Sequence, residues 1–111
     1  DLSKQTIWEL ICTEAIDTEY SHAYYTRVYE EILKRGISVD ELERARQFMQ
    51  LTAGWLNFEL MVWDWISLDE NDIKKAIDLQ FEKHLITKNK KEIMYKYIDK
   101  IKELEKESKH K

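Results

Sequence analysis

Four acidic and imidazole side chains could, by their types, hold a metal ion or share a proton. Glu14, His22, Glu59 and His84 each stand within an apolar stripe of a predicted helix, where an ionised group is costly to bury unless it is paired. Folding the chain at its short loops places Glu14 opposite Glu59, and brings both histidines to the level of Thr52. We therefore expect one layer with two carboxylates and another, about 12 Å along the axis, with two imidazoles.

A metal site is one interpretation of these layers. Helical bundles hold di-iron or di-manganese centres with paired Glu-x-x-His motifs on inward faces. The chain has one such spacing, Glu19 to His22, but no second copy, because Val62 stands three residues after Glu59. The sequence favours a structural network of carboxylates, tyrosines and tryptophan N–H groups over a metal site or a ligand-binding polar pocket, and we expect no cofactor. The four residues above are the candidate ligands of the alternative.

Nucleophilic catalysis has less support. Ser21 and His22 are adjacent, so on a helix they point about 100° apart, and Cys12 has no basic neighbour within one turn to lower its pKa. These patterns favour a protein that is not an enzyme. A single cysteine excludes an intrachain disulfide framework, which favours a reducing compartment and predicts a cytoplasmic protein.

The charge of the chain is divided unevenly. Residues 1–82 carry 8 basic and 17 acidic side chains, a balance of −9, whereas residues 83–111 carry 10 and 5, a balance of +5. Acidic residues are interleaved among the lysines of the basic part, and binding to a nucleic-acid backbone favours an unbroken positive field. We therefore predict that these lysines solvate the outer face of the last helix, and that nucleic acid is not a partner.

Capping signals divide the chain into helices. It has no proline and two glycines, which favours an all-α protein. Gly36 suits a left-handed position after a helix, Ser38 suits a cap with Glu41 reaching back, and Asp69 or Ser67 and then Asn89 suit the next two caps. The predicted fold is one domain, 1–111, an antiparallel four-helix bundle with two long and two shorter helices at about 4–35, 39–66, 70–86 and 90–107.

Two of these helices differ in how much of their surface is apolar. The last one has a single apolar stripe, made by Ile93, Met94, Tyr97, Ile98, Ile101 and Leu104. The second one, in the stretch AGWLNFELMVWDW (53–65), is apolar on nearly all sides. It should not cross a membrane, because Asn57, Glu59 and Asp64 interrupt it and a span needs about 20 predominantly apolar residues.

The surplus apolar surface predicts a homodimer, because aromatic residues are enriched at the centres of interfaces. Burial within the chain itself, a hydrophobic ligand or another protein are the alternatives. The predicted interface residues are Trp55, Phe58, Val62, Trp65 and Ile66 on the second helix, with Trp8, Tyr20 and Tyr24 on the first.

These observations favour a non-enzymatic helical interaction module that associates with itself through an aromatic face of the second helix. The first alternative is a helical bundle that binds a metal or a small ligand through inward-facing Glu and His. The second is a regulatory domain of a longer protein, for which the only indication is a first residue, Asp1, that is not methionine.

Overall fold

The structure is a computed structural model that describes residues 2–15, 22–59 and 68–109. All regular structure in this part of the chain is helical, which confirms the all-α class, but the antiparallel four-helix bundle is not confirmed. The helices are a 3-10 turn (Leu2–Lys4), α1 (Ile7–Ala15), α2 (His22–Lys34), α3 (Val39–Met49), a π-helical segment (Gln50–Gly54), α4 (Trp55–Glu59), α5 (Glu70–Glu82) and α6 (Lys88–Lys109).

The predicted first helix, 4–35, is wrong as a single rod. The guanidinium of Arg35 donates hydrogen bonds to the backbone oxygens of Leu2 and Gln5, at 2.8 and 2.6 Å. In one continuous helix, residues 5 and 35 would stand about 45 Å apart. Instead α2 packs against α1 and brings its end back to the start of the chain. Arg35 also pairs with Glu31 and with Glu105 of α6, so that three elements meet at its side chain.

The turn between α2 and α3 follows the prediction. Gly36 has a φ of +94°, and the side-chain oxygen of Ser38 accepts a hydrogen bond from the backbone N–H of Glu41. A Cβ on Gly36 would clash with the side chain of Ser108, so α6 packs directly against this turn. Glycine is therefore required here both for the backbone conformation and for the close approach.

The predicted second helix, 39–66, begins at Val39 as expected but changes its geometry on the way. The backbone N–H of Trp55 bonds to the carbonyl of Gln50, five residues earlier, which is the spacing of a π-helix. The hydroxyl of Thr52 donates back to the carbonyl of Phe48 at 2.8 Å, and the side-chain amide of Gln80 on α5 donates to the carbonyl of Leu51 at 2.9 Å. A side chain from another helix thus satisfies a carbonyl in the wider turn. Residues 60–66 of the predicted helix lie outside the described residues.

The ends of α5 and α6 differ from the prediction in part. The Asp69–Asp72 capping box starts α5 as predicted. The helix ends at Glu82 rather than at 86, because His84 adopts a φ of +61° and the N–H of Leu85 reaches back to the carbonyl of Gln80. Helix α6 starts at Lys88, since the Thr87 hydroxyl accepts from the N–H of Lys90. The predicted cap, Asn89, lies inside the helix and is exposed.

The core is built around α1, which contacts α2, α3 and α6. Trp8 lies at its centre and is fully buried. Among the described residues, no helix has both the length and the hydropathy to cross a membrane. The other fully buried large side chains are Leu10, Ile11, Val28, Ile32, Ile37, Leu42, Met49, Ile73, Ile77, Ile98 and Ile101.

Candidate interaction surface

Helix α4 has a buried side and an exposed side. Leu56 and Asn57 are buried, and α4 contacts α5, whereas Phe58 is 78% exposed and Trp55 is half-buried. Leu51, four residues before Trp55 in the π-helical segment, is 70% exposed. A phenylalanine this open to solvent lacks cover from the helices that the structure describes. We call the surface formed by Phe58 and Trp55 the α4 surface.

The other predicted interface residues have different positions. Trp8 is 0% exposed and its indole N–H donates to the backbone oxygen of Ile98 at 3.1 Å, so it belongs to the core of the single chain and its place in a dimer interface was wrongly predicted. Tyr24 is half-buried on α2, with its ring 6.4 Å from that of Tyr25. Outside the described residues lie Tyr20, Val62, Trp65 and Ile66.

A groove runs between α3 and α6, which both pack on α1. Its volume is about 300 Å³. Phe48 and Tyr97 form its floor with their rings edge to face, 4.8 Å between centroids, and Trp8 supports both from beneath, with its ring 5.9 Å from Phe48 and 6.3 Å from Tyr97. Three aromatic rings from three helices thus fix the base of the groove.

Exposed aliphatic side chains form the walls of the groove. Leu51 stands on one side and Ile93, 52% exposed, on the other. Ile93 was predicted to lie on the buried stripe of the last helix, but the stripe turns away from it, since Met94, Ile98 and Ile101 take the core positions. The core covers only part of the apolar stripe of α6. Ile93 is left in solvent as a result and forms one wall of the groove.

Two residues that line the groove, Arg44 and Tyr97, bond to a buried carboxylate next to it, Glu41, whose side chain is 7% exposed. It accepts hydrogen bonds from Arg44 at 3.0 Å, Tyr97 at 3.1 Å and Lys100 at 3.1 Å. Burial alone would raise the pKa of Glu41, but the hydrogen bonds from Arg44, Lys100 and Tyr97 outweigh it and hold that pKa below its usual value. Burial and the neighbouring carboxylate raise the pKa of Tyr97.

This arrangement is a satisfied ion cluster that fixes α3 to α6. The sequence indicated Glu41 only as a capping residue that reaches back, and its side chain is engaged with α6 instead. The burial of Glu41 could not be predicted from helical periodicity. Its partners Tyr97 and Lys100 lie on α6, more than 50 positions away in the sequence.

The four candidate metal ligands do not form a site in the part of the chain that the structure describes. His22 is exposed, and His84 is exposed at the left-handed position after α5. Glu59 points outward and pairs with Lys83 at 2.8 Å, and the Glu14 side chain lies outside the described part. No group of three or more His, Cys, Asp or Glu there is arranged to hold a metal ion. The predicted layers assumed two long straight helices, and α1 and α2 are not one rod.

Cys12 lies in the core and has no nucleophilic setting. It is 0% exposed, and burial raises the pKa of its thiol, with the nearby carboxylates of Asp72 and Asp69 adding to the effect. A thiol held neutral in this way is a poor nucleophile. No protein-family model, curated protein or solved structure matches the chain.

Proposed function

We propose that this protein is a helical interaction module that forms a homodimer through the α4 surface. The observation that supports the proposal is the 78% exposure of Phe58, beside a half-buried Trp55, on a helix whose other side is already packed on α5. Large exposed aromatic side chains are characteristic of contact surfaces.

Burial of one such residue is not enough to hold two copies together. Burying an exposed phenylalanine stabilises a complex by about 1.5–3 kcal/mol, whereas association itself costs about 4–15 kcal/mol. A twofold dimer uses each residue twice, once from each copy. The sequence that follows Phe58 adds further apolar side chains, and Val62, Trp65 and Ile66 remain part of the proposed interface on sequence grounds.

The proposal includes a cytoplasmic location and no bound cofactor. A single cysteine enclosed in the core suits a reducing compartment, because it needs no oxidised partner. The dimer would serve as a scaffold whose outer faces are charged, since α6 exposes many of its lysines and glutamates.

Sedimentation equilibrium of the purified protein tests the proposal. We expect a dimer, and we expect Phe58→Glu to shift it to a monomer, because the new carboxylate would be desolvated at the contact. Val39→Glu is the matched control: Val39 is 56% exposed at the start of α3, roughly 28 Å along the helical segment from Phe58, and its replacement should leave the dimer intact. A wild-type protein that remains monomeric at high concentration would overturn the proposal.

A further inference from the structure

We propose that the groove between α3 and α6 is the receptor for the α4 surface of a second copy of this chain, with Phe58 of each copy seated in the groove of the other. The inference rests on the proposed function, since it names what the self-association surface contacts. In residues 2–15, 22–59 and 68–109 there is an exposed aromatic projection on α4 and an open apolar groove between α3 and α6, and no side chain of these ranges fills the groove or covers Phe58.

The chemistry of the groove suits an aromatic occupant. Its floor is the edge-to-face pair of Phe48 and Tyr97, and exposed Leu51 and Ile93 stand on either side. A further ring extends an edge-to-face arrangement with additional stabilisation beyond its buried area. The floor is preorganised, because Trp8 is fully buried beneath it and hydrogen-bonded to Ile98, so binding requires little ordering of the groove.

Charge complementarity identifies the occupant as this chain. Two charged side chains line the groove: Arg44, which is already paired with Glu41, and Lys90, an exposed cation. The stretch 52–73, which carries Phe58 and none of the residues that line the groove, contains no lysine or arginine, and Glu59 follows Phe58 directly. Glu59 is 37% exposed beside Lys83, so its carboxylate can face a second cation. An acidic aromatic segment therefore meets a basic apolar groove.

The two contacts form together in a closed dimer. If a twofold axis relates the copies, the groove of each receives α4 of the other, and the two identical contacts leave no groove or projection unfilled. A helix laid in an apolar groove is a common mode of recognition, with anchors spaced along one face. On α4 the aromatic side chains of Trp55 and Phe58, three residues apart, have this spacing.

A complementation experiment distinguishes this contact from a symmetric α4–α4 contact. Phe58→Glu damages the projection and Ile93→Glu damages the groove, on different helices and both at exposed positions. Each variant alone should associate at least about thirtyfold more weakly than wild type, the size expected for a central interface residue. Mixed in equal amounts, they should form a heterodimer that native mass spectrometry identifies by its mass, because one intact groove then meets one intact Phe58.

The outcomes separate the two proposals. If Ile93→Glu remains dimeric and the mixture gives no heterodimer while Phe58→Glu is monomeric, the α4 surface is the contact and the groove is not its receptor. If wild type is a monomer, both proposals are overturned. If neither variant loses association although wild type is a dimer, another surface joins the copies and both are again overturned.

The contribution of charge to association is tested at Lys90, the exposed cation of the groove. Lys90→Glu should weaken association several-fold at low salt and less at high salt, because exposed charge pairs are screened. Lys88→Glu is the matched control, since it lies in the same first turn of α6 and does not line the groove. Equal weakening by both variants would show a general effect of net charge and would remove the electrostatic basis of the inference.

Discussion

The two halves of the helical segment 39–59 differ in how far other helices cover their side chains and supply partners for their polar groups. In α3, Ser38 caps the start, Glu41 has three partners, and Leu42, Ala45 and Met49 are buried in the core. In the second half, Leu51 and Phe58 are exposed, and the side-chain nitrogen of Asn57 is buried without a hydrogen-bond partner among the described residues.

The difference lies in how far the described part of the chain covers each half. In the first half the cap, the carboxylate of Glu41 and the core side chains have partners, although Val39 is exposed and Phe48 lines the groove. The second half has, among the described residues, a buried polar group without a hydrogen-bond partner and two large side chains in solvent. The first half therefore contributes most to the stability of the monomer, and the proposed dimer would use the exposed side chains of both halves.

The strongest test of the comparison replaces one aromatic residue in each region. Trp8→Ala should lower the free energy of unfolding by about 3–5 kcal/mol, because it leaves a cavity under Phe48 and Tyr97 and removes the bond to Ile98. Phe58→Ala, measured at a concentration where the protein is monomeric, should change it by less than about 0.5 kcal/mol. Urea unfolding followed by circular dichroism measures both free energies. Equal losses would show that Phe58 stabilises the monomer as much as Trp8 does, which would contradict the comparison.

The Glu41 cluster gives the next largest effect. Glu41→Gln should lower the free energy of unfolding by about 1.5 kcal/mol at pH 7, since bonds from Arg44, Lys100 and Tyr97 lose their charged acceptor. Because the folded state holds the pKa of Glu41 below the unfolded value of about 4.3, this stabilisation is present above that value and is lost as the pH falls through the folded pKa.

The difference between wild type and Glu41→Gln should accordingly shrink in acid. Glu43→Gln is the control, because Glu43 is about half exposed and its partners, Arg46 and Gln47, lie on the same surface of α3; its effect should stay below about 0.5 kcal/mol. A difference for Glu41→Gln that persists unchanged at pH 3 would rule out the ionised carboxylate as its source.

The buried side-chain amide of Asn57, which has no hydrogen-bond partner within the described ranges, predicts a gain in stability rather than a loss. Asn57→Leu should raise the free energy of unfolding by up to about 1 kcal/mol, because a buried donor of this kind carries a desolvation cost that leucine does not have. Asn89→Leu is the control at an exposed position inside α6, where little change is expected. A clear loss on Asn57→Leu, measured by thermal and urea unfolding, would show that the amide is satisfied in solution.

The smallest expected change in stability comes from a substitution just after α5. This helix bonds to the second half of segment 39–59 through the side chain of Gln80, which donates to the carbonyl of Leu51. His84→Gly should raise the free energy of unfolding by about 0.5 kcal/mol, since relief of the left-handed backbone, about 1 kcal/mol, is partly offset by greater freedom in the unfolded chain. Gly36→Ala, at the equivalent position after α2, should have the opposite sign. Thermal unfolding of the two variants should move in opposite directions.

Local signals allowed part of this fold to be predicted from sequence. The Gly36–Ser38 turn and the Asp69–Asp72 capping box each depend on residues close together in the chain, and both are present. At the start of α6, Thr87 and Asn89 are both capping types two residues apart, and sequence alone favoured the wrong one. Such choices depend on where the preceding turn ends.

The break between α1 and α2 could not be predicted in the same way. No proline or glycine occurs between residues 1 and 35, and the fold-back is fixed by Arg35, whose partners Leu2 and Gln5 are 30 or more positions away. The predicted layers of carboxylates and imidazoles assumed straight helices over 4–35 and 39–66. That prediction failed because α1 and α2 do not form one continuous helix. The groove was missed for a related reason, because it needs two helices that share a neighbour but stand apart from each other.

The π-helical segment has a consequence for how this chain tolerates length changes. Its wider turn accommodates what is in effect one surplus residue, so that a single deletion between 50 and 54 could restore regular α-helix without unfolding it. Because the wider turn already absorbs that residue, such a deletion would leave Phe58 on the same side of the molecule, whereas a deletion within α3 would turn everything after it by about 100°. The π-helical segment therefore makes this short window tolerant of a one-residue loss that the rest of the helix would transmit to α4.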